Sequence, residues 1–176
     1  MCKDCADKNH HFSAIASWAE YTDPLRSAIH AFKYKNDLGL GDLFACYLVD
    51  LLKQKKYQFN VIVPVPLSNS RRRKRGFNQS LLLARPISLY FHIPLAVNAL
   101  RRIKETDSQV HLNAQERETN MEGAFCGNPA TLKGKDVLLV DDIITTGATM
   151  NHCASSLLAA GARSVYGISL AKTILA

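Results

Sequence analysis

The sequence predicts an α/β protein with a mostly parallel sheet flanked by helices. Continuous apolar runs at residues 61–65 and 137–140 are typical of strands that are buried on both faces. Segments with helical spacing of apolar residues alternate with these runs, and a further run at 164–171 follows the last helix. Strands that alternate with helices favour parallel pairing, which places ligands at the carboxyl ends of the strands.

The first third of the chain predicts one short strand, at 13–21, and two helices. Asp23 and Pro24 form a typical helix start, because a capping side chain precedes a proline at the first helical position. A turn at 33–41 is expected next, and Asp42 then caps the second helix. The apolar stripe predicted to be buried on that helix consists of Leu43, Phe44, Tyr47, Leu48, Leu51 and Leu52.

The middle of the chain contains prolines that limit its elements. Two prolines should end the strand at 61–65, because proline has no N–H to donate. A helix is expected at about 78–90, although Pro86 should kink or shorten it. A strand at 95–100 and a short one at 123–126 flank a long polar segment, 101–122, of the kind that is usually functional or mobile.

The segment 137–149 carries the chemistry. An apolar strand is followed by Asp141 and Asp142, then by the loop Thr145, Thr146, Gly147, Ala148, Thr149, and then by a helix capped at its end by Gly161. The helix start directs backbone N–H groups and a positive dipole end at one point, which suits a phosphate. Carboxylates beside a phosphate site indicate that the ligand also carries hydroxyl groups or a divalent cation. A ribose 5-phosphate meets both requirements, and the alternative is an ordinary strand–helix turn with surface aspartates.

Composition and charge indicate which partners and which cellular location to expect. The net charge of +7 favours polyanionic partners, and the basic run at 71–75 could serve a pyrophosphate, a nucleic acid or only the solvent. No apolar run approaches the roughly 18 residues of a membrane span, and no signal peptide is visible, so we expect a cytoplasmic protein without membrane insertion.

The odd number of cysteines argues against a disulfide framework. Cys2 and Cys5 form half of a zinc site that His10 or His11 could extend, and buried core thiols are expected at Cys46, Cys126 and Cys153.

Several motifs resemble a known family. The run at 137–149 resembles the phosphoribosyl pyrophosphate (PRPP) fingerprint of type I phosphoribosyltransferases. The segments 63–68 and 75–79, together with Arg71, are similar to the ComF family, which is linked to bacterial competence and DNA uptake. Residues of the middle segment match the same pattern: Arg102, Thr106, Gln109, Leu112, Arg117, Asn120 and Gly123-Ala124-Phe125. The resemblance covers about residues 20–172.

This resemblance implies a type I phosphoribosyltransferase fold at 13–176, with a small N-terminal hood at about 13–57. It implies that Asp141 and Asp142 are the catalytic acids on the ribose hydroxyls and that residues 145–149 bind the 5′-phosphate of PRPP. Mg²⁺ would accompany PRPP. The pyrophosphate would be bound by Leu67, Ser68, Arg71 and Arg75, and a mobile loop containing Arg102, Thr106, Gln109, Arg117 and Asn120 would close over the site. Residues 1–12 would be the remnant of a zinc ribbon. Cys2 and Cys5 could contribute to a zinc site there, but the incomplete ligand set favours a segment without zinc.

These features leave more than one function open. A phosphoribosyltransferase would transfer or hydrolyse the phosphoribosyl group of PRPP, and the acceptor is not readable from the sequence. The alternatives are a non-catalytic module of the same fold that binds single-stranded DNA, or one that senses PRPP. Single-stranded DNA, the competence helicase machinery and a second copy of the chain are the partners that the resemblance suggests.

Overall fold

The computed structural model describes residues 10–34, 39–104 and 122–174. Within these residues, strands and helices alternate for most of the chain, as the sequence predicts. In chain order the elements are β1 (Ala14–Glu20), α1 (Leu25–Tyr34), α2 (Gly39–Lys55), β2 (Val61–Pro64), α3 (Asn69–Arg75), α4 (Gln79–Phe91), β3 (Leu100–Arg102), β4 (Phe125–Gly127), α5 (Pro129–Leu132), β5 (Asp136–Ile144), α6 (Ala148–Ala159) and β6 (Ser164–Lys172).

The main sheet has the strand order β1-β6-β5-β2, and every neighbouring pair is parallel. β5 is therefore central, with β2 on one side and β6 on the other. Pro64 lies opposite Val140 in the register, so β2 ends beside the middle of β5, one residue before the acidic pair. The predicted fold class is confirmed, and the segments that follow β2 and β5 begin at the same edge of the sheet.

Both faces of the sheet are covered, which explains the uninterrupted apolar runs. Side chains alternate along a strand, so Val61 and Val63 pack into one core while Ile62 packs into the other. The first core lies under α6 and the β3–β4 hairpin, and the second lies under α1, α2 and α4. Leu138 and Leu139 are almost fully buried on opposite sides, and each such burial contributes about 1.5–3 kcal/mol. No helix of the described ranges has the length and apolar character that a membrane crossing requires.

Most of the predicted elements are present, including β1, α1, β2 and β6. Gly161 follows α6 with φ +94°, and the N–H groups of Gly161 and Ala162 donate to the carbonyls of Leu158 and Leu157. This is the expected glycine termination of a helix.

The predicted turn at 33–41 is wrong in its extent. α1 continues through Tyr34 and α2 already begins at Gly39, so Asp42 lies in the first turn of α2 instead of capping it. Gly41 packs against the buried ring of Phe32, so the first turn of α2 contacts the core. The buried stripe is displaced accordingly: Leu43 is 48% exposed, and the buried residues of α2 are Gly41, Phe44, Ala45, Leu48, Val49 and Leu52.

Other boundaries also differ from the sequence prediction. Pro86 does not shorten α4, which continues to Phe91. The segment predicted as a strand at 95–100 forms only an isolated bridge at Leu95, and β3 starts at Leu100 and pairs with β4 outside the main sheet. β5 extends through the acidic pair to Ile144, whereas the sequence suggested that the strand ends before these residues.

Candidate functional site

The turn between β5 and α6 is built around Gly147. This residue has φ +83°, a left-handed conformation that glycine adopts without the cost that other residues incur. It lets the chain reverse directly from strand into helix, so that α6 begins at Ala148. The Thr146 hydroxyl accepts a hydrogen bond from the Ala148 N–H at 3.4 Å. The first N–H groups of a helix have no partners within it and carry the positive end of its dipole, so this turn can receive an anion.

An open concavity lies at this turn. Its lining consists of Asp141, Ile143, Ile144, Thr145, Gly147, Thr149 and Met150. Of the residues expected to bind phosphate, Thr145, Gly147 and Thr149 line it, whereas Thr146 lies beside it and Ala148 is buried. Only one member of the acidic pair, Asp141, contributes to the lining.

The two aspartates have different surroundings. Oδ1 of Asp141 accepts hydrogen bonds from the Ser80 hydroxyl at 3.0 Å and from the Asp142 N–H at 2.9 Å. Burial, followed by the negative charge of Asp142, raises the pKa of the Asp141 carboxyl well above its ordinary value. Asp142 is buried, and its Oδ2 lies 2.8 Å from Nζ of Lys33 on α1.

The start of α4 joins the segment after β2 to this acidic pair. Asn78 caps α4 by accepting from the Ser80 N–H, and its amide donates to the carbonyl of Val65 at 3.0 Å. Val65 in turn donates its N–H to the carbonyl of Val140, next to Asp141. Residues far apart in the sequence are thus brought together at one edge of the sheet.

The basic run at 71–75 lies on the helix α3. Ser68 is 3% exposed and caps this helix by accepting from the Arg71 N–H at 3.3 Å. Leu67, Arg71 and Arg75 are half-buried, whereas residues 72–74 are exposed. Helix formation explains this difference, because successive residues of a helix point about 100° apart and cannot share one face.

Arg75 is held by two neighbouring elements. Its guanidinium donates to Oε1 of Gln79 at 3.1 Å and to the hydroxyl of Tyr34 at 3.0 Å, and its central carbon lies 5.0 Å from the centre of the Tyr34 ring. Tyr34 follows Lys33 on α1, so consecutive residues of one helix contact the acidic pair and the basic helix.

Sequence reasoning did not identify Lys33, Tyr34 or Ser80. Lys33 was placed in a turn, and its partner Asp142 is more than a hundred residues away in the chain, so no local pattern signals the contact. Ser80 gave a weak signal as a polar residue in the first turn of a predicted helix that follows the basic run.

Several predicted residues lie elsewhere. Arg102, expected on a loop, ends strand β3, with its guanidinium carbon 5.6 Å from the centre of the Phe125 ring. Thr106, Gln109, Arg117 and Asn120 fall outside the described residues, as do Cys2 and Cys5. Cys153 is buried as expected, but Cys46 and Cys126 are exposed, contrary to the expectation of core thiols. Within the described part of the chain, no group of three or more His, Cys, Asp or Glu side chains is arranged to hold a metal ion.

Comparison with known proteins finds a matching family model and similar relatives. The family model "Phosphoribosyl transferase domain" matches residues 78–172, which is more than half of the chain. "Competence protein F" of Haemophilus influenzae is 31% identical over 97% of this chain and 78% of its own length. "DNA utilization protein YhgH" of Escherichia coli is 32% identical over 98% of this chain and 78% of its own length.

The chain belongs to the ComF family of phosphoribosyl transferase domains. Among solved structures, the ComF-family chain resembles an adenine phosphoribosyltransferase, with a TM-score of 0.50 and 16% identity. The match covers 80% of this chain and 74% of that one. The likeness establishes the type I phosphoribosyltransferase fold.

Proposed function

We propose that this ComF-family protein binds PRPP together with Mg²⁺ and transfers or hydrolyses its phosphoribosyl group. The observation that carries the proposal is the concavity at the β5–α6 turn, where Asp141 lies opposite a glycine turn, two threonines and a helix start. A sugar phosphate fits this combination, because the helix start and hydroxyls suit its phosphate and the carboxylate suits its ring hydroxyls.

The residues present also fit Mg²⁺. This ion is usually held by one or two carboxylates together with oxygens of the substrate's phosphates. Asp141 offers a carboxylate in the concavity, and its raised pKa indicates that its negative charge lacks full compensation there. When bound with PRPP, the ion would neutralise charge on the pyrophosphate.

The chain's own residues would then position the reacting groups. In phosphoribosyl transfer the bond from C1 of the ribose to pyrophosphate breaks, and the pyrophosphate leaves with the bonding electrons while the ring becomes cationic. Residues 145–149 would fix the 5′-phosphate, and Asp141 would orient the ribose and stabilise the positive charge on the ring. Ser68 and Arg71, at the start of α3, would receive the pyrophosphate.

Calorimetry with PRPP and Mg²⁺ tests the binding site directly. Thr146→Asp adds a negative charge beside the helix start, and we expect it to eliminate binding because a carboxylate repels the 5′-phosphate. Thr22→Asp is the matched control, since Thr22 is an exposed threonine in the turn before α1. An absence of heat with the wild-type protein at millimolar PRPP would contradict the proposal.

Pyrophosphate release separates a transferase from a sensor. If the protein is an enzyme, incubation with PRPP, Mg²⁺ and a panel of nucleobases or amines should release pyrophosphate, and Asp141→Asn should stop the release. PRPP binding without release in any mixture would support the PRPP-sensing alternative and remove the catalytic part of the proposal.

The exposed face of α3 favours a second candidate, a module that binds single-stranded DNA. Arg72, Arg73 and Lys74 are exposed on this helix, and the relatives named above are a competence protein and a DNA utilization protein. Neutralising these residues should weaken DNA binding and flatten its salt dependence. The DNA-binding function predicts that Asp141→Asn leaves this affinity unchanged.

A further inference from the structure

The lysines and arginines are distributed very unevenly along the chain. Twelve of the 22 lie between residues 51 and 104, and this segment contains no aspartate or glutamate. It forms the end of α2, then β2, α3, α4 and β3. A segment with many cations and no acid attracts polyanions along its whole length, so the basic surface is not restricted to α3.

Helix α4 runs along this side of the molecule from one edge of the sheet to the other. Near its start, the Ser80 hydroxyl donates to Asp141 in the carboxyl-terminal half of β5. Beyond its end, the Pro94 carbonyl accepts from the N–H of Ile62 at the start of β2. The 13 residues of α4 span about 20 Å, and Arg85, in the middle of the helix, is exposed. α4 therefore connects the basic helix α3 to the opposite edge of the sheet and exposes a further cation between them.

Tyr90 offers an aromatic ring at the far end of α4. Nζ of Lys53 lies 4.7 Å from the centre of this ring, and the ring of Phe91 meets it edge-on at 5.1 Å. These contacts orient the Tyr90 side chain, yet the residue remains 54% exposed. Lys53 also lies 3.2 Å from Asp50, but both side chains are about half exposed or more, so a phosphate could replace this weak partner.

The same combination of tyrosine and cations occurs at the other end of α4. Tyr34 is 47% exposed, and Lys74 and Arg75 lie 5.8 Å and 5.0 Å from the centre of its ring. Exposed rings that stack bases, placed beside cations that bind phosphates, are typical of surfaces for single-stranded nucleic acid. A lipid surface is instead bound by cations around one continuous apolar face.

We propose that a single strand of nucleic acid lies along α4 from α3 to Tyr90, with its phosphates on Arg85 and Lys53 and one base stacked on Tyr90. This inference rests on the DNA-binding candidate function described above. It extends that function from α3 to a second contact region at the opposite edge of the sheet.

The dependence of affinity on strand length tests this path. Fluorescence anisotropy at one salt concentration would measure binding of oligothymidines of about four and about twelve nucleotides. Tyr90→Ala and Lys53→Met should each weaken binding of the longer strand by about fivefold or more, because a stacked base or a phosphate contact is lost. Binding of the shorter strand should be nearly unchanged, since α3 alone can hold it.

Two controls separate this path from general effects of charge and stability. Tyr90→Phe keeps the aromatic ring and should bind as wild type does. Lys133→Met removes an exposed lysine after α5, away from α4, and should leave both affinities nearly unchanged. Thermal unfolding of each variant should match wild type, because Tyr90 and Lys53 are exposed.

The possible outcomes distinguish this inference from the function on which it rests. A wild-type protein that binds neither strand would overturn the DNA-binding candidate and the inference together. Wild-type binding that Tyr90→Ala and Lys53→Met leave intact, or weaken equally for both lengths, overturns the inference alone. The same holds if these variants lose binding to anionic lipid vesicles but keep their affinity for the longer strand.

Discussion

The start and the carboxyl-terminal half of strand β5 carry aspartates whose charges are compensated to different extents. Asp136, at the start, accepts hydrogen bonds from the Arg163 guanidinium on both oxygens and from the Ser164 hydroxyl at 2.7 Å. These bonds, first that of Arg163, lower the pKa of the Asp136 carboxyl to about 2. At the other end, burial and Asp142 raise the pKa of Asp141 to about 7, although Ser80 and a backbone N–H donate to it.

This difference distinguishes a charge that the fold compensates from one that it does not. The negative charge of Asp136 is compensated within the fold by Arg163 and Ser164. These contacts join the start of β5 to the residues at the start of β6. Asp141 is left with charge that its neighbours do not fully compensate, in a place where a ligand can enter. Groups with pKa values displaced by burial and like charge are concentrated at functional sites, because stability alone would favour their removal.

The largest expected effect comes from neutralising each aspartate in turn. Asp141→Asn should reduce affinity for PRPP with Mg²⁺ by about ten- to a hundredfold, since a charge-assisted contact is lost, while the unfolding temperature stays the same or rises. Asp136→Asn should lower the unfolding temperature and leave affinity unchanged. Calorimetry and thermal unfolding of both variants check this contrast, and equal loss of affinity in the two variants would contradict it.

The glycines that flank β5 provide a second matched pair. Gly134 and Gly147 have φ values of +69° and +83°, and a Cβ at either position would meet no atom within 4 Å. Alanine at each should therefore cost a similar amount of stability, about 1–2 kcal/mol, from the left-handed backbone alone. Only Gly147→Ala should also weaken PRPP binding, measured by calorimetry at a temperature where both variants are folded. A matching loss of affinity in Gly134→Ala would show that the effect is one of stability.

Proton linkage should separate the two aspartates in a smaller but specific way. A carboxyl with a raised pKa binds its proton more tightly in the folded state, so the contribution of Asp141 to stability falls as pH rises from about 4 to about 7. A bound cation favours the ionised carboxylate, so PRPP binding near neutral pH should release a fraction of a proton and strengthen, by less than about tenfold, between pH 6 and 8. Calorimetry in buffers of different ionisation enthalpy measures this release, which should be smaller in Asp141→Asn; the phosphates of PRPP, which titrate near about pH 6, supply the remainder.

The smallest effect is expected at the exposed partner of Asp136. Arg163→Met should lower the unfolding temperature by no more than a few degrees at neutral pH, because the Arg163 side chain is 67% exposed and solvent screens its charge. A lowered pKa stabilises the fold above the ordinary value of the carboxyl and loses this effect as pH falls, so the difference from wild type should shrink between about pH 4 and pH 2. Arg85→Met, at an exposed arginine of α4, is the control in thermal unfolding across this pH range. A difference that grows on acidification would contradict the assignment.

Local sequence patterns were sufficient to predict the parallel sheet and the turn at its functional edge. The runs at 61–65 and 137–140 are apolar without interruption because both faces of their strands are buried. Gly161 marked the end of α6 because it adopts a left-handed conformation that glycine tolerates best, whereas α6 begins at Ala148, two residues earlier than the sequence suggested. The order of acids, hydroxyls and glycine in 141–149 is also local, so it could be recognised without coordinates.

Only the tertiary structure decided how those residues are used. The pattern presents Asp141 and Asp142 as equivalent neighbours. In the structure, Asp142 forms an ion pair with Lys33 of α1, whereas Asp141 lines the concavity. Helix formation at 69–75 likewise divides a uniformly basic run into half-buried and exposed arginines. Charge compensation depends on which elements meet in space, and side chains separated by a hundred residues leave no trace of their contact in local sequence.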